Sequence, residues 1–126
     1  MSGDAAVETE VTAAFLRYEA ALVANDLAVL RELFWDDPRV VRFGIADAQF
    51  GSDELGAWRA AQPPLPPGRT LERTSVTAFG ADTAAVTTLF RYPDRAAVGR
   101  QTQLWVRRPE GWRIASAHVS EVPAEP

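Results

Sequence analysis

Tyr18, Arg42 and His118 are the side chains of this chain whose types could do chemistry on a small polar ligand. A phenol can donate to a developing oxyanion or move a proton. A guanidinium grips a carboxylate through two parallel hydrogen bonds. His118 is the only histidine, and imidazole titrates near neutral pH. Each also has a structural reading. Tyr18 can be an amphipathic core tyrosine, His118 can simply pack, and alternation around Val41-Arg42-Phe43 turns Arg42 toward solvent unless it reaches into a cavity. The acids are plentiful but poorly placed for catalysis. Asp36, Asp37, Asp53 and Glu54 read as helix caps, and Glu19 is turned about 100° from Tyr18 on its helix. Asp47 is the one acid near a plausible cavity mouth. The sequence holds no catalytic triad, phosphate loop, HExxH motif or basic–aromatic ladder for nucleic acid. Cysteine is absent, which excludes disulfides and thiolate chemistry. Neither a metal nor a cofactor is expected.

These residues need elements to hold them. Val7, Val11, Phe15, Tyr18 and Leu22 recur at helical spacing and predict a helix over about 7–24. Asn25-Asp26 breaks it and caps a second helix over about 27–34, with Leu27, Leu30, Leu33 and Phe34 inward. Asp36-Asp37-Pro38 ends that helix. Residues 39–43 and 48–50 read as short strands, and Ser52 as the cap of a third helix with Leu55, Trp58 and Ala61 behind it. Pro63 to Gly68 is a stiff extended connection within one domain. The remainder predicts strands over 70–79, 83–92, 100–108 and 112–120, joined by turns. Helices first and antiparallel strands after is an α+β order, with a meander that can curl over the helices.

In the last hairpin, folding about Pro109-Glu110-Gly111 places Trp105 near Ile114, Gln103 near Ser116 and Gln101 near His118. These six then share one face. Glutamines, a serine and a histidine beside two large apolar residues suit a cavity wall with a polar floor. Arg59 on the third helix and Arg73 early in the long strand are further cationic candidates, although the register leaves the face of Arg73 open.

At 126 residues the chain is read as one domain, 1–126, with an ordered core of about 7–121 and fraying ends. Its net charge of −4 gives no field for nucleic acid. All 13 basic residues are arginine, so any anion site must use guanidinium. No apolar stretch approaches the ~20 residues that span a membrane, and the acidic, polar start is unlike a signal peptide. A cytoplasmic protein is expected, without nucleic-acid or membrane partners.

The run from Tyr18 through Asn25-Asp26 and Leu33-Phe34-Trp35 to Arg42-Phe43-Gly44 resembles the AtzH-like family. So do Gly51, Trp58-Arg59, Gly99-Arg100-Gln101, Gln103, Trp105, Gly111-Trp112 and Ala117-His118-Val119-Ser120. The resemblance covers nearly everything from Val11 to Ser120, and the family includes oxalurate catabolism proteins (HpxZ). It implies the cone-shaped NTF2-like (SnoaL-like) fold, with N-terminal helices on a curved antiparallel sheet, commonly a homodimer across the sheet. It also implies an amidohydrolase of nitrogen or purine catabolism cleaving a C–N bond in a carboxylated urea or oxalurate-like substrate. The family's tyrosine on helix 1 and arginine on the following strand match Tyr18 and Arg42, which implies a catalytic role for both. Asp47 and Phe43 depart from the glutamate and tyrosine expected in relatives. Substrate contact is assigned to Arg59, Arg73, Gln101, Gln103, His118, Ser120 and Trp35. The alternatives are a non-catalytic metabolite-binding or accessory subunit with an amidase partner, and a ketosteroid-isomerase-like isomerase or dehydratase. The last needs a pocket carboxylate as base.

Overall fold

Helix α1 runs over Ser2–Ala24, in a computed structural model that describes residues 2–124. All five residues of its expected apolar stripe are buried, from Val7 to Leu22. The helix begins earlier than that stripe, in a polar turn carrying Asp4, where a negative charge suits the helix N-terminus. Met1, Glu125 and Pro126, parts of the ends expected to fray, lie outside the described residues. Asn25 takes a left-handed backbone (φ 54°), and the Asp26 carboxylate accepts the Val29 N–H as N-cap of α2, Leu27–Leu33. Leu30 and Leu33 are buried as expected, but Leu27 is exposed because it opens the helix on its outer side.

Strands β1 (Val41–Phe43) and β2 (Ala48–Phe50) form a small hairpin. Helix α3 follows over Ser52–Ala61. Its N-cap is Gly51, at φ 91°, and not Ser52. The Ser52 hydroxyl instead donates to Asp36, tying α3 to the end of α2. Leu55 is buried, whereas Ala61, at the last turn, is exposed.

Strands β3 (Thr70–Ala78), β4 (Thr83–Arg91), β5 (Val98–Arg108) and β6 (Gly111–Val122) make the expected meander. The sheet order is β2-β1-β6-β5-β4-β3. One pairing departs from the antiparallel expectation: β1 runs parallel to β6, with Val41 opposite Ser116 and Phe43 opposite His118. Ahead of β1, Phe34 bridges Ile114 and the Trp35 N–H donates to the Ile114 carbonyl. The exit of α2 therefore covers the early part of β6, and β1 covers the later part.

Helix α1 is pinned across the concave face. The Glu8 carboxylate accepts the Ala78 N–H of β3, and Glu10 accepts the Trp112 indole N–H of β6. Trp105, Ile114, Ala84 and Val86 close the core beneath it. At Gly99 the Phe90 ring lies where a Cβ would stand. That ring in turn carries the Arg69 guanidinium 4.2 Å from its centroid. A Gly99→Ala protein should therefore lose about 1–3 kcal/mol through overpacking, read as a lowered denaturation midpoint. The conservative Arg100→Lys on the opposite face should change little.

Candidate active site

Tyr18 and Arg42 line one cavity of about 280 Å³, at the small end for ligand pockets. It lies between α1, the β1–β2 hairpin, α3, the proline run 63–66 and the inner face of β4 to β6. The Tyr18 ring is buried at 3 % exposure and packs edge-on against Phe34. Among the described residues no hydrogen bond occupies its hydroxyl.

Arg42 is turned inward, at 9 % exposure, so alternation misreads it. The apolar Phe43 faces outward instead. The Arg42 Nη1 donates to both the Asp47 carboxylate and the Gln49 side-chain carbonyl, each at 3.0 Å. Gln49 Nε2 donates to the same Asp47 oxygen at 2.8 Å. A Cβ at Gly44 would stand within 2.8 Å of Arg42 Nη1 and closer still to Asp47, so only glycine lets this pair sit against the turn. The guanidinium lies 4.3 Å from the centre of the Trp58 ring. Burial pulls Arg42 below the ordinary arginine range; Tyr18 and Asp47 favour its charged form and nearby Arg59 opposes it.

A second arginine, Arg69, escaped the sequence reading. Its side chain is 4 % exposed and forms a two-pronged ion pair with Glu19, Nε to Oε1 at 2.8 Å and Nη2 to Oε2 at 3.2 Å. Nη1 donates to the Tyr92 hydroxyl at 3.0 Å, and Gln101 Nε2 donates to Glu19. Burial works against the Arg69 charge, but Glu19 outweighs it and holds the guanidinium above its usual value. Glu19, beside Tyr18 in sequence, is thus an anchor for Arg69 and not a free base. Arg69→Met would leave Glu19 buried without its partner. We expect a loss of about 3–5 kcal/mol in stability, measured by chemical denaturation, with Glu19→Gln/Arg69→Met recovering part of it.

The other assigned residues divide. Arg59 and Gln101 line the cavity. Gln103 is buried deeper, at 1 % exposure, and accepts the Trp105 indole N–H at 2.9 Å, which makes it a core partner of Trp105. His118 does not face the cavity. A bulge in β6 pairs Leu104 with Ser116 but Trp105 with Ile114, leaving Ala115 extra. Beyond it Gln103 opposes Ala117 and Gln101 opposes Val119, so Ser116, His118 and Ser120 turn to the outer face. There His118 packs on Phe43 and Ser120 accepts from Arg100. Arg73 is exposed, at a left-handed irregularity of β3 (φ 54°). Trp35 lines a separate, larger groove of about 880 Å³ between α2, α3 and the β5–β6 turn, which Arg59 also borders. Asp47 does sit at the cavity, as its position suggests, and among the described residues it is the one carboxylate lining it. No cluster of metal-ligating side chains occurs among the described residues, and no helix is long and apolar enough to cross a membrane.

A curved sheet wrapped by three helices around such a pocket defines an α+β cone of the NTF2-like kind. The chain belongs to the AtzH-like family, whose model matches residues 3–125. It is similar to a cystatin-like fold protein from Burkholderia xenovorans LB400, 46 % identical, with 95 % of this chain and 94 % of that one covered and a TM-score of 0.91. A protein of the DUF3225 family from Pectobacterium atrosepticum SCRI1043 is 47 % identical over 94 % of this chain and 92 % of that one, TM-score 0.91. An NTF2-like protein from Pseudomonas putida KT2440, 20 % identical over 92 % and 87 %, shares the fold at a TM-score of 0.75. No match was found among curated proteins.

Proposed function

We propose that this protein is a metal-independent hydrolase that cleaves a C–N bond in a small carboxylated urea or oxalurate-like compound. The observation that carries this reading is the shared cavity: a buried phenol with no hydrogen bond among the described residues and a buried arginine line the same small space. Among the described residues Arg42 uses Nη1 alone, on Asp47 and Gln49, which leaves its Nε–Nη2 edge for a ligand. The ureido carbonyl would accept from that edge and from the Tyr18 hydroxyl, so both donors meet the oxyanion as it forms. Water supplies the nucleophile. Its proton passes to Asp47 as the O–C bond forms, and Tyr18 or the protonated Asp47 returns a proton to the departing nitrogen as the C–N bond breaks. The direct experiment is turnover of N-carboxyurea and oxalurate, followed by released ammonia or carbon dioxide. Tight binding of both with no turnover beyond the uncatalysed rate would sink the hydrolase reading.

A second reading is a non-catalytic subunit that binds the same ligand and works with an amidase. It is favoured by the fact that Asp47 is already engaged by Arg42 and Gln49 and so is an encumbered base. An isomerase of the ketosteroid kind is less well supported, because the other acid nearby, Glu19, is committed to Arg69 on both oxygens.

The sheet's outer face supports assembly as a homodimer. Phe43, Phe50 and Leu104 are exposed there, at 40, 58 and 38 %, and Phe43 stacks edge-on with both Phe50 and His118. A second copy on this face should bury at least ~1,000 Å² in total. Light scattering at micromolar concentration should give twice the chain mass, and Phe43→Asp should give monomers.

A further inference from the structure

Resting on that reading of the cavity, we infer that Arg59 receives the ligand's carboxylate and that the cavity is charge-matched to one carboxylate rather than two.

Four arginines line the cavity, and three are already paired. Arg69 is held by Glu19, Tyr92 and Gln101. Arg95 is held by Glu121. Arg42 is held through Nη1 by Asp47 and Gln49. Arg59 differs. Its Nη2 is buried and has no hydrogen-bond partner, the one such side-chain atom among the described residues. Sealed from water as the side chain lies, that nitrogen is satisfied only if the fork turns into the cavity that Arg59 lines, where an anion can reach it. A guanidinium fork is moreover the group that fits a carboxylate. Its placement agrees. Arg59 lies in the last turn of α3, its guanidinium carbon 4.8 Å from the Trp58 ring centre, while that of Arg42 is 4.3 Å from the same ring. Two cations around one indole repel, and the fall in the Arg42 pKa includes that repulsion after burial. A carboxylate on Arg59 relieves it.

The count of charges sets the second half of the inference. Asp47 offsets Arg42, Glu19 offsets Arg69 and Glu121 offsets Arg95. Arg59 is the excess positive charge. One ligand carboxylate neutralises it. A second would approach Asp47, whose carboxylate repels another anion but accepts N–H donors. The matching ligand carries a carboxylate at one end and an amide or urea N–H at the other.

Malonamate and malonate test this, being alike in shape and differing by one charge. Calorimetric titration of the full chain at equal ionic strength should show malonamate binding at least as tightly as malonate. Arg59→Gln should weaken malonamate by tenfold or more, and Arg59→Lys should recover less than half of that loss on a logarithmic scale. The ligand-free melting temperature of Arg59→Gln should not fall, since the change removes an unpaired buried donor. Asp47→Asn should shift preference toward malonate. The inference is overturned if neither compound binds the wild type, if Arg59→Gln binds like the wild type, if malonate binds tenfold tighter than malonamate, or if ligand-free Arg59→Gln melts well below the wild type. Hydrolysis is read separately. Arg59-dependent binding without turnover removes the hydrolase and leaves this inference standing, whereas turnover with no dependence on Arg59 does the reverse.

Discussion

Tyr18→Phe should lower turnover of a carboxyurea by ~100-fold while leaving ligand binding within about twofold, the size expected for losing one oxyanion donor or proton-transfer group. The substitution keeps the ring that packs against Phe34 and the buried stripe of α1. It deletes only a hydroxyl that bonds to nothing else among the described residues. The ligand-free melting temperature should therefore be unchanged within a degree or two. That combination, intact fold and binding with lost rate, separates a transition-state role from a packing role. Single-turnover kinetics with saturating substrate measure it, and equal rates for the variant and the wild type would remove Tyr18 from the mechanism.

Arg42→Ala should have the larger effect. Turnover should drop by at least ~10³-fold, because the change removes a charged donor at the oxyanion. Stability should also fall, by about 1–3 kcal/mol, because Gln49, at 2 % exposure, loses the group that donates to its carbonyl. Arg42→Lys should restore much of the stability and little of the rate. A single ammonium can replace the charge beside Asp47. It cannot donate to Asp47 and Gln49, keep the Trp58 stack and still present an edge to the ligand. Full activity in Arg42→Lys would show that the site needs charge alone.

The helices were legible because one apolar stripe per helix decides them. Val7, Val11, Phe15, Tyr18 and Leu22 are all buried, and Asp26 caps as its type suggests. The meander was legible from its turns. Arg42 was not legible from pattern. In a strand of three residues, β1, two alternation steps cannot outvote an arginine beside a phenylalanine, and here the arginine goes in and Phe43 comes out. Only the resemblance to a family placed it. His118 failed for a different reason. Its face depended on counting residues back from the turn, and one extra residue, Ala115, reverses every side chain after it. Nothing in Ile114-Ala115-Ser116 announces a bulge. Arg69 and Glu19 were missed because their pairing joins a position after the proline run to one on α1, and long-range ion pairs leave no local spacing to read. The one available hint was an acid next to Tyr18, which helical geometry turns away from it.

The parallel pairing of β1 with β6 also orders events in time. The hairpin that carries Arg42, Asp47 and Gln49 forms from residues 41–50, but among the described residues its neighbour in the sheet is the strand that ends at Val122. Local pairs such as β3 with β4 can close early, because their loops are short, whereas this contact must close the longest loop in the sheet. During synthesis β6 also emerges after the other five strands of this sheet. Arg42 is thus expected to be fixed in place late in folding, and a chain stopped before residue 111 should make the hairpins of β3 to β5 but not the closed cavity. Acquisition of anion binding should lag behind the formation of secondary structure in refolding, which would make ligand affinity a clock for the completed native state.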